Sequence, residues 1–572
     1  MPATDISDVS KQIHQMLTSP RGHHPPPRHS FWSSKEPLMS IRSKRILGGV
    51  AALTVVAASL TACSSESGEA RGNAIVQAIS GDPSTLDPRL SFEKRSAQYV
   101  ANVYDTLVGF KLTKNDKGLL VADSEAPTGA LAETIDVSED KLTYTFRLHE
   151  ATFHSGNPVT SADVQWSFER AWKLQEGGWF DLRTIGLSDP STQITTPDDR
   201  TAVMKMTRTT PFTLQMLANP TIAIYDSKLM KENATSDDPW AQDYLADHDA
   251  GSGPYKLESF ERGVSLTLSR FDQYWGEKPE ADKVVMQVVP SASDQVALLK
   301  NGDIDIAAEL PSASLKELTS ADGVTIHASK SNQQVNLMMN NAAGPTADVN
   351  VRRAISYAVP YDAIAANVYG GYADGPSGPI PTGMPGFDED AALYKEDLEA
   401  AKRALAESDH AGALSIPLTY DNSVTGYEEI AIAVQQALGK IGITVETKPV
   451  TTAQMNEAFF SGKTELFIFS ALSWVNNPSY HLDLYWATGS YGNKISYTNA
   501  QVDRIKEKAF QQPVGSEPFK ADVAEIQKLM LQDAPAVWLG QVNWTLGTSD
   551  RITSYEVRTD QIFRFGTMDL AG

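Results

Sequence analysis

One cysteine in 572 residues, Cys63, rules out an intramolecular disulfide, so packed cores alone must hold whatever this chain folds into. A chain of this length supplies such cores readily, as two or three domains. The same cysteine closes an almost uncharged run, Ile46 to Ala62, preceded by the basic residues Arg42, Lys44 and Arg45. A membrane-spanning helix needs roughly 20 apolar residues. This run is shorter, rich in Ala, Gly and Ser, and flanked as the apolar part of a secretory signal is flanked.

Leu60-Thr61-Ala62-Cys63 resembles a bacterial lipobox, which implies that Cys63 carries the lipid and begins the mature protein. The polar residues that follow, within 63–72, read as a tether. Acyl chains contribute about 0.8 kcal/mol per buried methylene, enough to hold a multiply acylated protein on the outer face of the cell membrane. Residues 39–62 are then the signal peptide, starting at Met39. Residues 1–38, rich in Pro and His, fit no signal design and are expected to be disordered or a mis-assigned start.

Acidic side chains outnumber basic ones, 71 to 49, for a net charge of −22, and the balance is about −26 for residues 63–572. Neutralising phosphates takes clustered Lys and Arg, which this chain lacks, so nucleic acid is not an expected partner. Solubility outside the cell accounts for the charge.

Periodicity predicts a strand at 74–79, a helix near 96–106, and a half-buried strand at 141–148 carrying Leu142, Tyr144, Phe146 and Leu148. Thr160-Ser161-Ala162-Asp163 reads as a capping box opening a helix with Val164, Phe168 and Trp172 on one face. Gly251-Ser252-Gly253-Pro254-Tyr255 precedes a strand with Val264, Leu266 and Leu268, and reads as a crossover needing positive φ. Strands at 284–289 and 304–307 flank a helix at 294–300. Helices at 349–359, 397–406 and 427–439 alternate with strands at 416–420, 443–446 and 466–469, the rhythm of mixed α/β domains.

Several blocks, in order, then stand out: Leu86-Asp87-Pro88; Tyr104-Asp105-Thr106-Leu107; Tyr144 to Leu148 with Phe153-His154-Ser155-Gly156; Gly251 to Tyr255; Tyr274-Trp275-Gly276-Glu277-Lys278-Pro279; Asn301-Gly302-Asp303-Ile304-Asp305; and Val351-Arg352-Arg353-Ala354-Ile355. Over residues 73–572 their order and spacing resemble the family 5 extracellular solute-binding proteins, the dipeptide-, oligopeptide- and nickel-binding components of ABC importers. The resemblance implies an α/β, periplasmic-binding-protein-like fold: two hinged lobes around a central cleft, with an extra inserted domain. Lobe I would comprise 73–115, 251–345 and 536–572, the inserted subdomain 116–250, and lobe II 346–535, with hinges near 345 and 535.

In peptide-binding relatives a segment that begins with Trp and carries Asp three residues later lines the cleft, the acid taking the peptide ammonium. The matching stretch is Ser473 to Tyr480, with Trp474 at the Trp and Asn477 at the acid. A neutral amide cannot offset a buried ammonium, which disfavours peptides with a free amine. Trp474, Asn476, Asn477, Tyr480 and Asn340 are the expected ligand-binding residues, with Asn336 a further strand-end candidate. Tyr485 and Trp486 read as core of the following helix. His481 alone offers a nickel-type ligand, while His149 and His154 miss the spacing of a helical zinc motif.

Neither Gly-x-Ser-x-Gly nor His-Glu-x-x-His occurs; Ser91-Phe92-Glu93-Lys94 matches Ser-x-x-Lys without its companion motifs, so a secreted hydrolase is the weaker reading. The expectation is a non-enzymatic monomer without cofactor or metal. Its partners would be a peptide or peptide-like solute, ABC permease and ATPase subunits, and the membrane through the lipid anchor. A lipoprotein presenting a signal peptide without import is the alternative that keeps the fold.

Overall fold

The computed structural model describes residues 72–90, 93–175, 177–391, 393–410 and 414–571. Residues 1–38, the signal segment 39–62, Cys63, the tether up to residue 71, and Ser91 lie outside the described residues.

The strand Ala74–Ile79 sits at the centre of a seven-stranded sheet. It pairs in parallel with Lys283–Val288 on one side and with Ile306–Ala308 on the other. Trp544–Ser549 fits antiparallel between Ile306–Ala308 and Val324–Ser329. Ser265–Arg270 and Tyr255–Glu261 complete the other edge. Alternation explains the layer: Leu266, Leu268, Val284 and Met286 all point into one core with Tyr99 and Val103 of the helix Lys94–Val103. Val264 does not share that pattern; it is 55% exposed at the turn before the strand.

A four-stranded antiparallel sheet, Ala132–Val137, Thr143–Leu148, Thr201–Lys205 and Ile194–Asp198, forms the inserted part. Tyr144, Phe146 and Leu148 are buried while Arg147 faces solvent, the alternation the sequence showed. The helix Ser161–Leu174 packs on it; the Asp163 carboxylate accepts from the Thr160 N–H at 2.8 Å and hydroxyl at 2.7 Å.

A six-stranded sheet builds the second lobe in the order Ala373–Asp374, Ala536–Val542, Gln333–Met339, Leu466–Leu472, Leu414–Asp421, Ile443–Val450. It is apolar on both faces: Val335, Leu337 and Met339 enter one core, Met338 and Trp538 the other. By sheet membership the chain crosses between lobes at 330–332 and at Asn543, not near 345 and 535. A strand buried on both faces gives no period-2 signal telling which sheet it joins.

Gly251 and Gly253 also depart from expectation, for neither has positive φ. They are needed for close approach: a Cβ on Gly251 would lie 2.0 Å from the Val103 carbonyl oxygen, and one on Gly253 2.7 Å from the Val103 carbonyl carbon.

Candidate functional site

The segment after the strand Leu466–Leu472 leaves the second lobe and meets the first. Trp474, partly buried, packs against Ala97 and Ala101 of the helix Lys94–Val103 and against Ile562. Ala97 and Ala101 are one helical turn apart, so small side chains on one face make a seat for the indole. Asn476 donates through Nδ2 to the Ser124 hydroxyl at 3.1 Å, its partner belonging to the strand Leu120–Gly129. Its Oδ1 is buried without a partner among the described residues. Asn477 is fully buried and caps the helix Pro478–Tyr485, its Oδ1 accepting from the Ser479 N–H at 2.9 Å. The Asn477 Nδ2 and the Ser479 hydroxyl are buried without partners among the described residues.

Two neutral donors and one neutral acceptor are thus left open among the described residues within five residues of Trp474. Unpaired buried polar groups cost about 1–3 kcal/mol each, so groups of this kind next to an interlobe seam favour a ligand or water that satisfies them.

Tyr480 has another role. It is buried in the core of the inserted part, edge-on to Phe212 with centroids 5.8 Å apart. Phe510 meets the same Phe212 ring at 5.8 Å. Such aromatic pairs are worth about 0.5–1.5 kcal/mol beyond their burial. The neighbouring ion pair, Arg208 to Asp483 at 3.8 Å, is partly exposed and worth about 0–1 kcal/mol. Apolar and hydrogen-bonded contacts, more than charge, hold the inserted part against the second lobe.

Asn340 does not reach this region. Its Oδ1 accepts from the Ala342 and Ala343 N–H groups at 3.0 Å, and its Nδ2 donates to the Gly462 carbonyl at 3.3 Å, closing a turn at the far end of its strand. Asn336 is fully buried inside the second sheet, in register with Phe469 and Trp538. Tyr485 and Trp486 are core residues. His481 is fully buried: its Nδ1 faces the Ser473 hydroxyl at 2.6 Å and its Nε2 accepts from Trp486 Nε1 at 3.1 Å. Burial pushes its pKa down to about 3, and both nitrogens are used, which removes it as a metal ligand. His149 stacks on Trp275, and His154 bonds Asp249 and the Gly253 carbonyl.

Lys94, Gln333 and Gln561 form a polar knot at the first crossover that the sequence did not single out. Lys94 donates to Gln333 Oε1 at 3.0 Å and to Gln561 Oε1. Gln561 Nε2 donates to Gln333 Oε1 at 2.9 Å and to the Ser331 hydroxyl at 2.7 Å. Three residues so far apart in the chain leave no local pattern; the one signal was Lys94 beginning a helix face that continues through Ala97 and Ala101.

A model of the family described as bacterial extracellular solute-binding proteins, family 5 Middle, matches residues 126–493. The probable D,D-dipeptide-binding periplasmic protein of Escherichia coli (strain K12) is 31% identical over 498 residues, 85% of this chain and 92% of the relative. The chain belongs to the family 5 extracellular solute-binding proteins. The glutathione-binding protein of Pectobacterium atrosepticum is 24% identical over 530 residues, 90% of this chain and 98% of the relative. Two solved structures share the fold. A periplasmic binding protein of Helicobacter pylori in complex with the peptide STSA has a TM-score of 0.77 at 22% identity, covering 87% of this chain and 98% of that one. The agropinic acid complex of a binding protein from A. tumefaciens has a TM-score of 0.74 at 22% identity, covering 87% and 99%.

In this family 5 solute-binding protein the motif blocks are scaffold. Asp105 accepts from Ser252 at 2.9 Å, Trp275 at 3.0 Å and Tyr274 at 3.1 Å, so three blocks meet at one carboxylate. Burial raises its pKa despite those bonds. Asp87 takes Arg170 through both oxygens at 2.9 and 2.8 Å, and the Tyr225 hydroxyl at 2.8 Å. Burial would raise the Asp87 carboxyl, but the Arg170 and Arg89 guanidinium groups outweigh it and hold it below the usual range.

Proposed function

We propose that this protein is the extracytoplasmic substrate-binding component of an ABC importer, held at the membrane by a lipid on Cys63, and that it captures a peptide-like solute by closure of its two lobes. The seating of Trp474 on Ala97 and Ala101 carries this reading, because one side chain from the second lobe then reports directly on apposition with the first. The neutral groups of Asn476, Asn477 and Ser479 beside it suit the N–H and C=O groups of a peptide bond. A solute that touches both lobes binds the closed form better and shifts the population toward it, and the closed shape is what a permease then engages. The role of the family favours binding without turnover.

Titration of the full-length protein with dipeptides, followed by calorimetry and small-angle scattering, tests the reading. Saturable binding with a fall in radius of gyration is expected; binding with no compaction refutes closure. Deletion of the gene should abolish uptake of the bound solute, whereas retained uptake with a lost signalling response would favour presentation without import. Labelled palmitate should appear on the native chain and vanish in Cys63→Ser.

A further inference from the structure

We propose that Lys94 anchors a carboxylate of the solute, making acids that lack a free ammonium group, such as N-blocked peptide acids, the preferred class. The inference rests on the solute site described above and names what that site selects.

Lys94 stands one helical turn before Ala97, on the face that seats Trp474. Its ammonium group reaches across to Gln333 of the second lobe while also meeting Gln561 of the first. Both carboxamides are fixed with their oxygens toward it, because Gln333 Nε2 donates to the Ser470 hydroxyl at 2.7 Å and Gln561 Nε2 to Ser331. An ammonium has three donors, and these two oxygens take two, leaving one for an incoming acceptor.

The knot is also held at a conformational cost. Gln561 has φ of 61°, a backbone region that non-glycine residues enter only when their surroundings dictate it. Among the described residues no carboxylate pairs with Lys94. Glu93, beside it in sequence, is spent on the Ser84, Arg95 and Ser96 N–H groups and the Arg95 side chain. Glu309, engaged with the Ser80 hydroxyl at 3.1 Å, acts on Lys94 only from farther off. Burial lowers the Lys94 pKa more than Glu309 restores it, in keeping with a cation short of a counter-ion. On the other side of the seam Asn476 and Asn477 are neutral amides. The side chains that bond Lys94 among the described residues are thus neutral, and its positive charge has no directly bonded counter-charge.

The test is calorimetric titration of the full-length chain with four probes, each in L and D form: Ala-Ala, Ala-Ala amide, N-acetyl-Ala-Ala and N-acetyl-Ala-Ala amide. The two acids should bind at least about tenfold more tightly than their amides, and acetylation of the amine should strengthen binding, no gain on acetylation overturning the preference for N-blocked acids. Lys94→Gln should erase the difference between acid and amide, and Lys94→Arg should keep it. Equal affinity for acids and amides in the native chain, or an acid preference that survives Lys94→Gln, overturns the role of Lys94 and leaves peptide binding standing. Failure of every probe to bind at millimolar concentration overturns both. The comparison within the native chain decides the matter even where a variant does not fold.

Discussion

Trp486 Nε1 donates to His481 Nε2 at 3.1 Å inside the second lobe, which fixes the imidazole as neutral, with its Nδ1 proton directed to Ser473. The folded pKa, about 3, lies below the ordinary value of 6.5. Between those values the unfolded chain takes up a proton that the native state refuses. His481 thus contributes stability that is present above about pH 6.5 and is lost as pH falls toward 3, at up to about 1.4 kcal/mol per pH unit. Urea unfolding of His481→Asn across pH 3.5–7 should show a shallower loss on the acid side than the native chain.

Asp181 acts in the opposite sense. Burial raises its pKa from 3.8 to about 7, partly offset by the Thr221 hydroxyl, while Asn219 Nδ2 bonds it at 3.2 Å. The native state holds a proton that the unfolded chain releases, so this contribution is full below about pH 3.8 and lost as pH rises through 7. The two windows overlap between about 3.8 and 6.5, where the slopes cancel. Asp181→Asn should therefore make acid destabilisation of the protein steeper than native over that range, measured in the same unfolding series.

Asn477→Asp is a clean exchange of charge, since aspartate caps a helix as well as asparagine does. Affinity for a dipeptide with a free amine should rise by about tenfold or more, and the melting temperature of the free protein should drop by several degrees because the new carboxylate is buried without a cation. Unchanged affinity would mean that this position does not face the solute amine.

Trp474→Ala should weaken solute binding by about tenfold or more while moving the melting temperature of the free protein by only a few degrees, because the indole is partly exposed and its contacts lie across the lobes. Parallel calorimetry and thermal unfolding separate the two effects.

Gly253→Ala should destabilise by about 3 kcal/mol or more, because the added methyl would stand 2.7 Å from the Val103 carbonyl carbon and backbone cannot yield. A melting temperature within 2 °C of native, in round terms, would contradict that packing.

What the sequence disclosed and what it withheld divide along physical lines. The strand Ala74–Ile79 and the helix Tyr427–Gly439 have the bounds expected from the sequence, the strand because it is an apolar run that fills cores on both sides and the helix because Ile430, Val434 and Leu438 bury one face. The Trp474 segment was legible through the family pattern alone, and Asn340 was misjudged because a strand-end asparagine looks the same whether it meets a solute or closes a turn. Lys94, Gln333 and Gln561 were invisible: separations of 239 and 467 residues are bridged only by the fold. The lobe crossings were misplaced for a related reason, since the strand Gln333–Met339 is equally at home in either sheet until its neighbours are known.

The placement of Trp544–Ser549 between Ile306–Ala308 and Val324–Ser329 bears on how such a molecule comes into being. A ribosome or pore that delivers the chain from its amino end releases Ala74–Ile79 early, yet the sheet around it has a missing rung until residue 549 emerges. At about 5–20 residues per second that wait is roughly half a minute to a minute and a half. Throughout it the first sheet lacks the strand between Ile306–Ala308 and Val324–Ser329, and only the late arrival of Trp544–Ser549 joins segments from early and late in the chain in a single layer.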